Sequence, residues 1–188
     1  MAELIRIDER SGIWHIKPHK KRKPSDDVVC TLETVGYFGN ARGHHRGNLL
    51  EGDIVLEVDN SNFSRSNINS SEGVNLGALE WGIDILKNIN WRMGPIRCLL
   101  KGYRSYTINK RYDSLLDPNC NVYYDFLENE RRLATTTIDF HSFFHLINKP
   151  VPRFDVVSRN QDDPNSWFMA LISLYVYSID RRYQAKPM

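Results

Sequence analysis

The chain has 188 residues, of which 41% are hydrophobic and 11% aromatic, and its formal net charge is +2. This length suits one domain with a terminal extension, and this apolar content excludes a wholly disordered chain. No apolar run approaches the roughly 18 residues that a membrane-spanning helix needs, and charged residues interrupt the first ten positions. We therefore expect neither a membrane span nor a signal peptide.

The three cysteines, Cys30, Cys98 and Cys120, are odd in number and widely spaced, with no C-x-x-C pair. This pattern argues against a disulfide framework and against a zinc site. It predicts free thiols in a reducing compartment, with Cys30 and Cys98 acting as small hydrophobic residues inside strands.

Positive charge is concentrated near the start of the chain. Residues 1–24 contain seven Lys or Arg and three Asp or Glu, whereas the other 164 residues contain eighteen Lys or Arg and twenty Asp or Glu. Such a run cannot be buried without partners, so it is either solvated without binding anything or bound to an anionic surface. Nucleic acid, an acidic protein face and lipid headgroups all qualify. The candidate binding residues are Lys17, Lys20, Lys21, Arg22 and Lys23.

Short apolar clusters precede this basic run. Ile5 and Ile7, like Trp14 and Ile16, are spaced two residues apart, which favours strand-like segments over a helix. These four side chains are candidates for docking on a neighbouring subunit. We predict a flexible basic arm over residues 1–27 and a globular domain over residues 28–188.

The first half of the domain has two β-rich segments. Residues 28–38 are rich in β-branched and aromatic residues and predict a strand. A loop is predicted at Gly39–Asn48. Asp53–Asp59 alternates between apolar and polar residues, as a half-buried antiparallel strand does. The Ser- and Asn-rich stretch Asn60–Gly73 predicts another loop.

The second half changes period. Leu76–Ile89 has helical spacing, and Ile96–Ile108 predicts a long strand. A short helix is predicted at Tyr123–Arg132, a β-rich segment at Thr135–Phe140, and a final, central strand at Trp167–Ile179. Because strands and helices do not alternate, we predict an α+β fold, a single domain in which a twisted antiparallel sheet has helices packed on one face.

Few residue patterns suggest chemistry. His141 and His145 have the i, i+4 spacing of metal ligands, but a third ligand is not evident, and a structural role is favoured. Gly43–Gly47 could bind phosphate, although a turn with solvated charges is favoured. Lys101–Tyr106 interleaves cations with tyrosines, as nucleic-acid readers do, but an outer sheet face is favoured. We therefore expect no enzymatic activity and no cofactor.

One segment resembles the core of a PDZ domain. Asn48–Asp59 is similar to its leucine, glycine-aspartate, isoleucine-leucine-x-valine pattern, and a helix at Leu79–Lys87 and a strand at Ile96–Leu100 follow in the expected order. The nearest counterpart of the carboxylate-binding loop is Val35–Gly39. This resemblance implies a peptide-binding adaptor and is the alternative interpretation.

The layout of the whole chain is similar to that of a rhabdovirus matrix protein, in particular the short matrix proteins of plant cytorhabdoviruses. A lysine-rich N-terminus precedes a strand and a tryptophan-bearing helix at Ala78–Trp81. A strand ending in Leu99–Gly102 follows, and much later a β-rich run at Phe168–Ile179. The resemblance implies a non-enzymatic protein that self-associates around the viral nucleocapsid and bridges it to the membrane.

We accordingly expect a viral matrix protein whose partners are further copies of itself, the nucleocapsid and an anionic membrane surface. Its expected location is the host cytoplasm and the virion. Lys20–Lys23 also fits the loose pattern of a nuclear import signal, so the nucleus is a further expected location. A nucleic-acid-binding protein with a basic arm is the third interpretation.

Overall fold

In a computed structural model of the chain, the described residues form antiparallel strands and one helix. These residues are 3–10, 13–20, 23–24, 30–35, 40–46, 50–82, 94–113, 121–139, 153–158 and 166–184.

Thirteen strands and one helix make up the described residues. They are β1 (Glu3–Arg10), β2 (Ile13–Lys20), β3 (Lys23–Pro24), β4 (Cys30–Val35), β5 (Asn40–His45), β6 (Gly52–Asp59), β7 (Asn62–Ser70), β8 (Asn75–Trp81), β9 (Ile96–Leu100), β10 (Tyr106–Tyr112), β11 (Val122–Glu128), β12 (Arg131–Asp139), β13 (Arg153–Ser158) and α1 (Ser166–Gln184).

The sheet is a meander that closes on itself. The nine strands from β4 to β12 each pair antiparallel with the next strand in the chain, and β13 continues the series beside β12. Strand β1 pairs with β13 on one side and with β2 on the other, and β2 pairs with β4. Every strand of this circuit therefore has two neighbours, while β3 pairs only with β2.

Alternating side chains divide the strands into an inner and an outer face. On β6, Ile54 and Leu56 are buried, whereas Asp53 and Glu57 are exposed. This is the period of two that a pleated strand imposes, and it repeats along β9 and β10. The apolar residues therefore point into the ring.

Helix α1 lies inside the ring. All twelve residues from Phe168 to Ile179 are buried, so no side of this part of the helix faces solvent. The methyl carbons of Leu171 lie 2.9 and 3.0 Å from where a β-carbon on Gly43 would stand, which explains the glycine in β5. The Tyr175 hydroxyl donates a hydrogen bond of 2.9 Å to Ser66 Oγ on β7.

The enclosed helix corrects the predicted fold class. The structure is mostly β with a single helix, and that helix is surrounded by the sheet, so an α+β fold with helices on one face is wrong. The predicted final strand at Trp167–Ile179 is wrong for the same reason. A helix buried on all sides needs no polar stripe, so its sequence shows no period of 3.6 and resembles a central strand.

Other elements were predicted with the wrong type. The predicted loop at Asn60–Gly73 contains strand β7, and the predicted loop at Gly39–Asn48 contains β5. The predicted helix at Tyr123–Arg132 is the hairpin of β11 and β12, which turns at Asn129 and Glu130 with positive φ. Tertiary pairing overrides local propensity in each case.

The predicted helix at Leu76–Ile89 is also wrong in its first part. Residues 76–81 belong to β8, and residues 83–89 lie outside the described part of the chain. Both family resemblances used this helix, as Leu79–Lys87 in one and Ala78–Trp81 in the other. Two elements of the matrix-like layout therefore differ from their predicted type. The predicted helix at Ala78–Trp81 is a strand, and the predicted β-rich run at Phe168–Ile179 is a helix.

Several strand predictions are confirmed. Cys30–Val35 lies within predicted residues 28–38, and Asp53–Asp59 lies in β6. The predicted strand at Ile96–Ile108 falls into two strands, β9 and the start of β10. Cys30 and Cys98 are buried in strands, as their interpretation as small hydrophobic residues requires. The boundary between an arm and a domain at residue 27 stays a prediction.

We predict that Leu171→Ala lowers the free energy of unfolding by about 3 kcal/mol, because it leaves a cavity between α1 and the glycine of β5. Urea unfolding followed by tryptophan fluorescence measures the change. The control Leu99→Ala removes the same atoms from a side chain that is 37% exposed and should cost well under half as much. Equal losses would contradict the enclosed position of the helix.

Candidate functional site

The antiparallel order of the strands gathers alternate turns at the same end of the ring. The register pairs Cys30 with His45 and Gly77 with Leu100, each close to a strand end. The turns that follow β5, β7, β9 and β11 therefore lie at one end. We call this end, together with the β2–β3 turn, the basic rim.

The four turns of the basic rim are nearly balanced in charge. Their exposed cations are Arg46, Lys101, Arg104 and the first residue of β12, Arg131; their exposed carboxylates are Glu51, Glu72 and Glu130. Arg104 forms an ion pair of 3.1 Å with Glu128, with the arginine side chain 76% exposed. Such an exposed pair contributes little stability and leaves the guanidinium accessible.

The β2–β3 turn shifts this balance toward positive charge. Ile16 pairs with Cys30, so the part of β2 that follows Ile16, from Lys17 to Lys20, runs toward the basic rim. Lys20 pairs directly with Lys23 across the turn. Lys21 and Arg22, between them, lie outside the described residues. Like charges at directly opposed positions are unfavourable, and an anion bound at the turn would relieve this.

The residues predicted for self-association occupy two paired strands. Ile5 and Ile7 lie in β1, Trp14 and Ile16 lie in β2, and Ile7 is the cross-strand partner of Ile16. The backbones of both strands are hydrogen-bonded within the ring. Trp14 and Ile16 pair with Leu32 and Cys30 of β4, both of which are buried. Their role in self-association stays a prediction.

His45 lies buried just below the basic rim. It is fully buried, its ring centroid is 5.8 Å from that of Phe168, and neither ring nitrogen meets hydrogen-bond geometry with a partner. Burial lowers the pKa of His45, and nearby His44 lowers it further, while a Leu50 backbone group and Glu51 oppose the fall.

The favoured interpretation of Gly43–Gly47 as a turn is wrong for its first three residues, Gly43 to His45, because they belong to strand β5.

A second polar cluster lies on the outer face of β10, β11 and β12. Arg111 donates hydrogen bonds to both carboxylate oxygens of Asp125, at 2.5 and 3.3 Å, and Thr135 Oγ1 donates a third at 2.6 Å. Burial raises the pKa of Asp125, but these hydrogen bonds more than offset it, so the pKa falls below its usual range. Arg111 also lies over the Tyr123 ring. The cluster joins three strands and is satisfied internally.

The described residues offer little for catalysis or metal binding. Within them, no group of three or more His, Cys, Asp or Glu side chains is placed to hold a metal ion. The candidate pair His141 and His145 lies outside the described part. Burial raises the pKa of Cys30 above its usual range and that of Cys98 to about 12, so neither thiol is a ready nucleophile. No described helix is both long and apolar enough to cross a bilayer.

Comparisons with family models, with curated proteins and with solved structures give no match for this chain. The resemblances to PDZ domains and to rhabdovirus matrix proteins therefore stay predictions.

Sequence reasoning identified the basic run and named Gly43–Gly47 and Lys101–Tyr106 as less favoured binding candidates, but it did not predict that they share one end of the ring. Arg46, Lys101 and Arg104 are 23 or more positions away from Lys23 in the chain. The alternation of cations and tyrosines at Lys101–Tyr106 was the available signal. The structure shows that this segment is the turn between β9 and β10 rather than the face of a long strand.

We predict that His45 makes stability fall with acidification below pH 6.5, its ordinary pKa. The folded pKa is lowered, so below pH 6.5 the unfolded chain binds a proton that the folded chain does not, and the free energy of unfolding decreases as pH falls. Urea unfolding across this range measures the slope. His45→Leu should flatten it and raise stability at neutral pH by about 1 kcal/mol, because it removes an unsatisfied buried ring.

The groups that surround His45 determine which substitution can serve as a control. Cys30 is opposite it on β4, Gly52 and Asp53 begin β6, His44 precedes it, and α1 presents Phe168. His44 bonds to Asp53 at 2.7 Å on the outer face. His44→Gln should therefore leave most of the His45 contribution to the slope in place, because burial is the largest cause of the lowered pKa of His45. An unchanged slope in His45→Leu would contradict the assignment.

Proposed function

We propose that this chain is a non-enzymatic structural protein of a virus, of matrix type, which docks onto an anionic surface through its basic rim and self-associates. The observation that carries this proposal is the register of β2 and β3, which puts Lys20 opposite Lys23 on the part of β2 that continues past the first residue of β4. Strand pairing brings the cationic segment to the end of the ring where Arg46, Lys101 and Arg104 are exposed.

The rim suits electrostatic docking because its cations lie at one end of the ring. Charges that face the same direction add their attraction to an extended anionic surface, whereas cations scattered around the ring would not. The interior of the ring is filled by α1, so the surface is what the described fold offers to a partner. Docking of this kind weakens with added salt.

The opposite end of the ring supports self-association. The described carboxylates there include Asp59, the last residue of β6, and Asp113, the residue after β10. Hydrogen bonds from the side chain and backbone of Ser61 lower the pKa of Asp59, which keeps it ionised. Carboxylates at one end and cations at the other favour head-to-tail contact between subunits. Such contacts are heterologous and generate open arrays.

We predict that Lys20→Gln with Lys23→Gln weakens binding to phosphatidylserine-containing vesicles by about 2 kcal/mol, roughly thirtyfold. Vesicle flotation at several salt concentrations measures it, and sedimentation of the protein alone measures self-association, which should also decrease.

The matched control removes two cations from the wall of the ring. Arg42→Gln with Arg97→Gln lowers the net charge equally, but both residues are exposed in the middle of strands β5 and β9. This control should bind and sediment almost as the unchanged protein does. If both pairs of substitutions cause the same loss, net charge alone governs docking, and the basic rim has no special role.

A further inference from the structure

Exposed apolar side chains cluster at the basic rim. Among the described residues, the large hydrophobic side chains that are exposed are Val74 (57%), Tyr103 (53%), Val35 (41%) and Leu99 (37%). Val74 and Tyr103 lie in the turns after β7 and β9, and Leu99 lies on the outer face at the end of β9. Val35 ends β4 at the opposite end. We call Val74, Leu99 and Tyr103 the tip patch.

The two turns of the tip patch are neighbours. The Lys101 amide donates a hydrogen bond of 2.9 Å to the carbonyl of Leu76, and Gly77 pairs with Leu100. Gly73 and Gly102 have φ of 82° and 73°, which permits both chains to reverse tightly at the tips. The turns that carry Val74 and Tyr103 therefore lie side by side at this end of the ring.

We propose that the tip patch inserts into the interfacial layer of an anionic lipid bilayer, with the surrounding cations contacting the headgroups. This inference rests on the proposed docking function and names its partner. Lys101 and Arg104 flank Tyr103 directly, and both are exposed. A tyrosine beside cations and small apolar residues is the composition that lies at the boundary between headgroups and acyl chains.

The composition of the tip patch favours a membrane over a strand of nucleic acid. A reader of single-stranded nucleic acid needs a cationic groove in which several aromatic rings stack on bases. Tyr103 is the one exposed aromatic ring of the tip patch, and Val74 and Leu99 offer neither a ring face nor a hydrogen bond. Burial of these two side chains is favourable only in an apolar environment.

The experiment compares three variants of the full-length protein with the unchanged protein. Val74→Ser with Tyr103→Ser replaces the two exposed apolar side chains in the turns of the tip patch. Val35→Ser replaces an exposed apolar side chain at the opposite end of the ring. Lys20→Gln with Lys23→Gln removes two positive charges from the basic rim. Binding is measured by flotation with vesicles of phosphatidylcholine and phosphatidylserine, and by fluorescence anisotropy with a single-stranded RNA oligonucleotide. Thermal unfolding verifies that each variant is folded, as expected for substitutions at exposed positions.

The tip substitutions should weaken vesicle binding by about tenfold and abolish the part of it that persists at high salt, because apolar insertion is not screened. Their RNA binding and the vesicle binding of Val35→Ser should be unchanged. If the tip substitutions leave vesicle binding intact while the lysine substitutions reduce it, the proposed insertion is wrong. The docking function is kept in that case. A parallel loss of RNA binding in the tip variant would reassign the tip patch to nucleic acid. If the lysine substitutions reduce neither kind of binding, the docking function itself fails.

Discussion

Enclosure of α1 by the sheet is the constraint on which the rest of the structure depends. Twelve consecutive buried residues give the helix an apolar surface on every side, and only a sheet that surrounds it can cover that surface. Buried hydroxyls on this helix are satisfied locally, since Ser173 donates to the carbonyl of Met169 and Ser178 to that of Tyr175. The strands in turn leave room for the helix, as Gly43 does opposite Leu171. Helix and sheet therefore determine each other's shape.

A filled ring also determines where a partner can bind. Antiparallel closed sheets can hold a small ligand in the interior, but here that volume is occupied by side chains of α1 and of the inner sheet face. The outer wall is joined across strands by internal pairs such as Arg111 with Asp125 and Arg65 with Glu80. The two ends remain, and they differ in charge and in apolar exposure. This difference is the physical basis of the proposed docking and of the proposed head-to-tail contact.

The sequence predicts those parts of the fold whose information is local. Alternation along Asp53–Asp59 requires one buried face, and β6 has it. Strand β7 could not be predicted in the same way, because its inward position 66 is a serine and its outward residues are Arg65, Asn67 and Asn69, so apolar and polar residues do not alternate; its stability comes from pairing with β6 and β8. The helix was mistaken for a strand because burial on all sides removes its polar stripe. Only one part of the basic rim could be predicted. The basic run is visible in the sequence, but which other cations lie at the same end of the ring depends on the strand register.

Strand register also links docking to the stability of the ring. The pair β1 and β2 joins β13 to β4 and so completes the circuit of strands. The same β2 ends at Lys20, which is opposite Lys23 of β3, and like charges at opposed positions are unfavourable. An anion bound there would relieve this repulsion only when β2 and β3 are paired, so binding and formation of this pair stabilise each other by the same free energy. The segment that makes the chain positively charged is therefore also the segment whose pairing completes the sheet around α1.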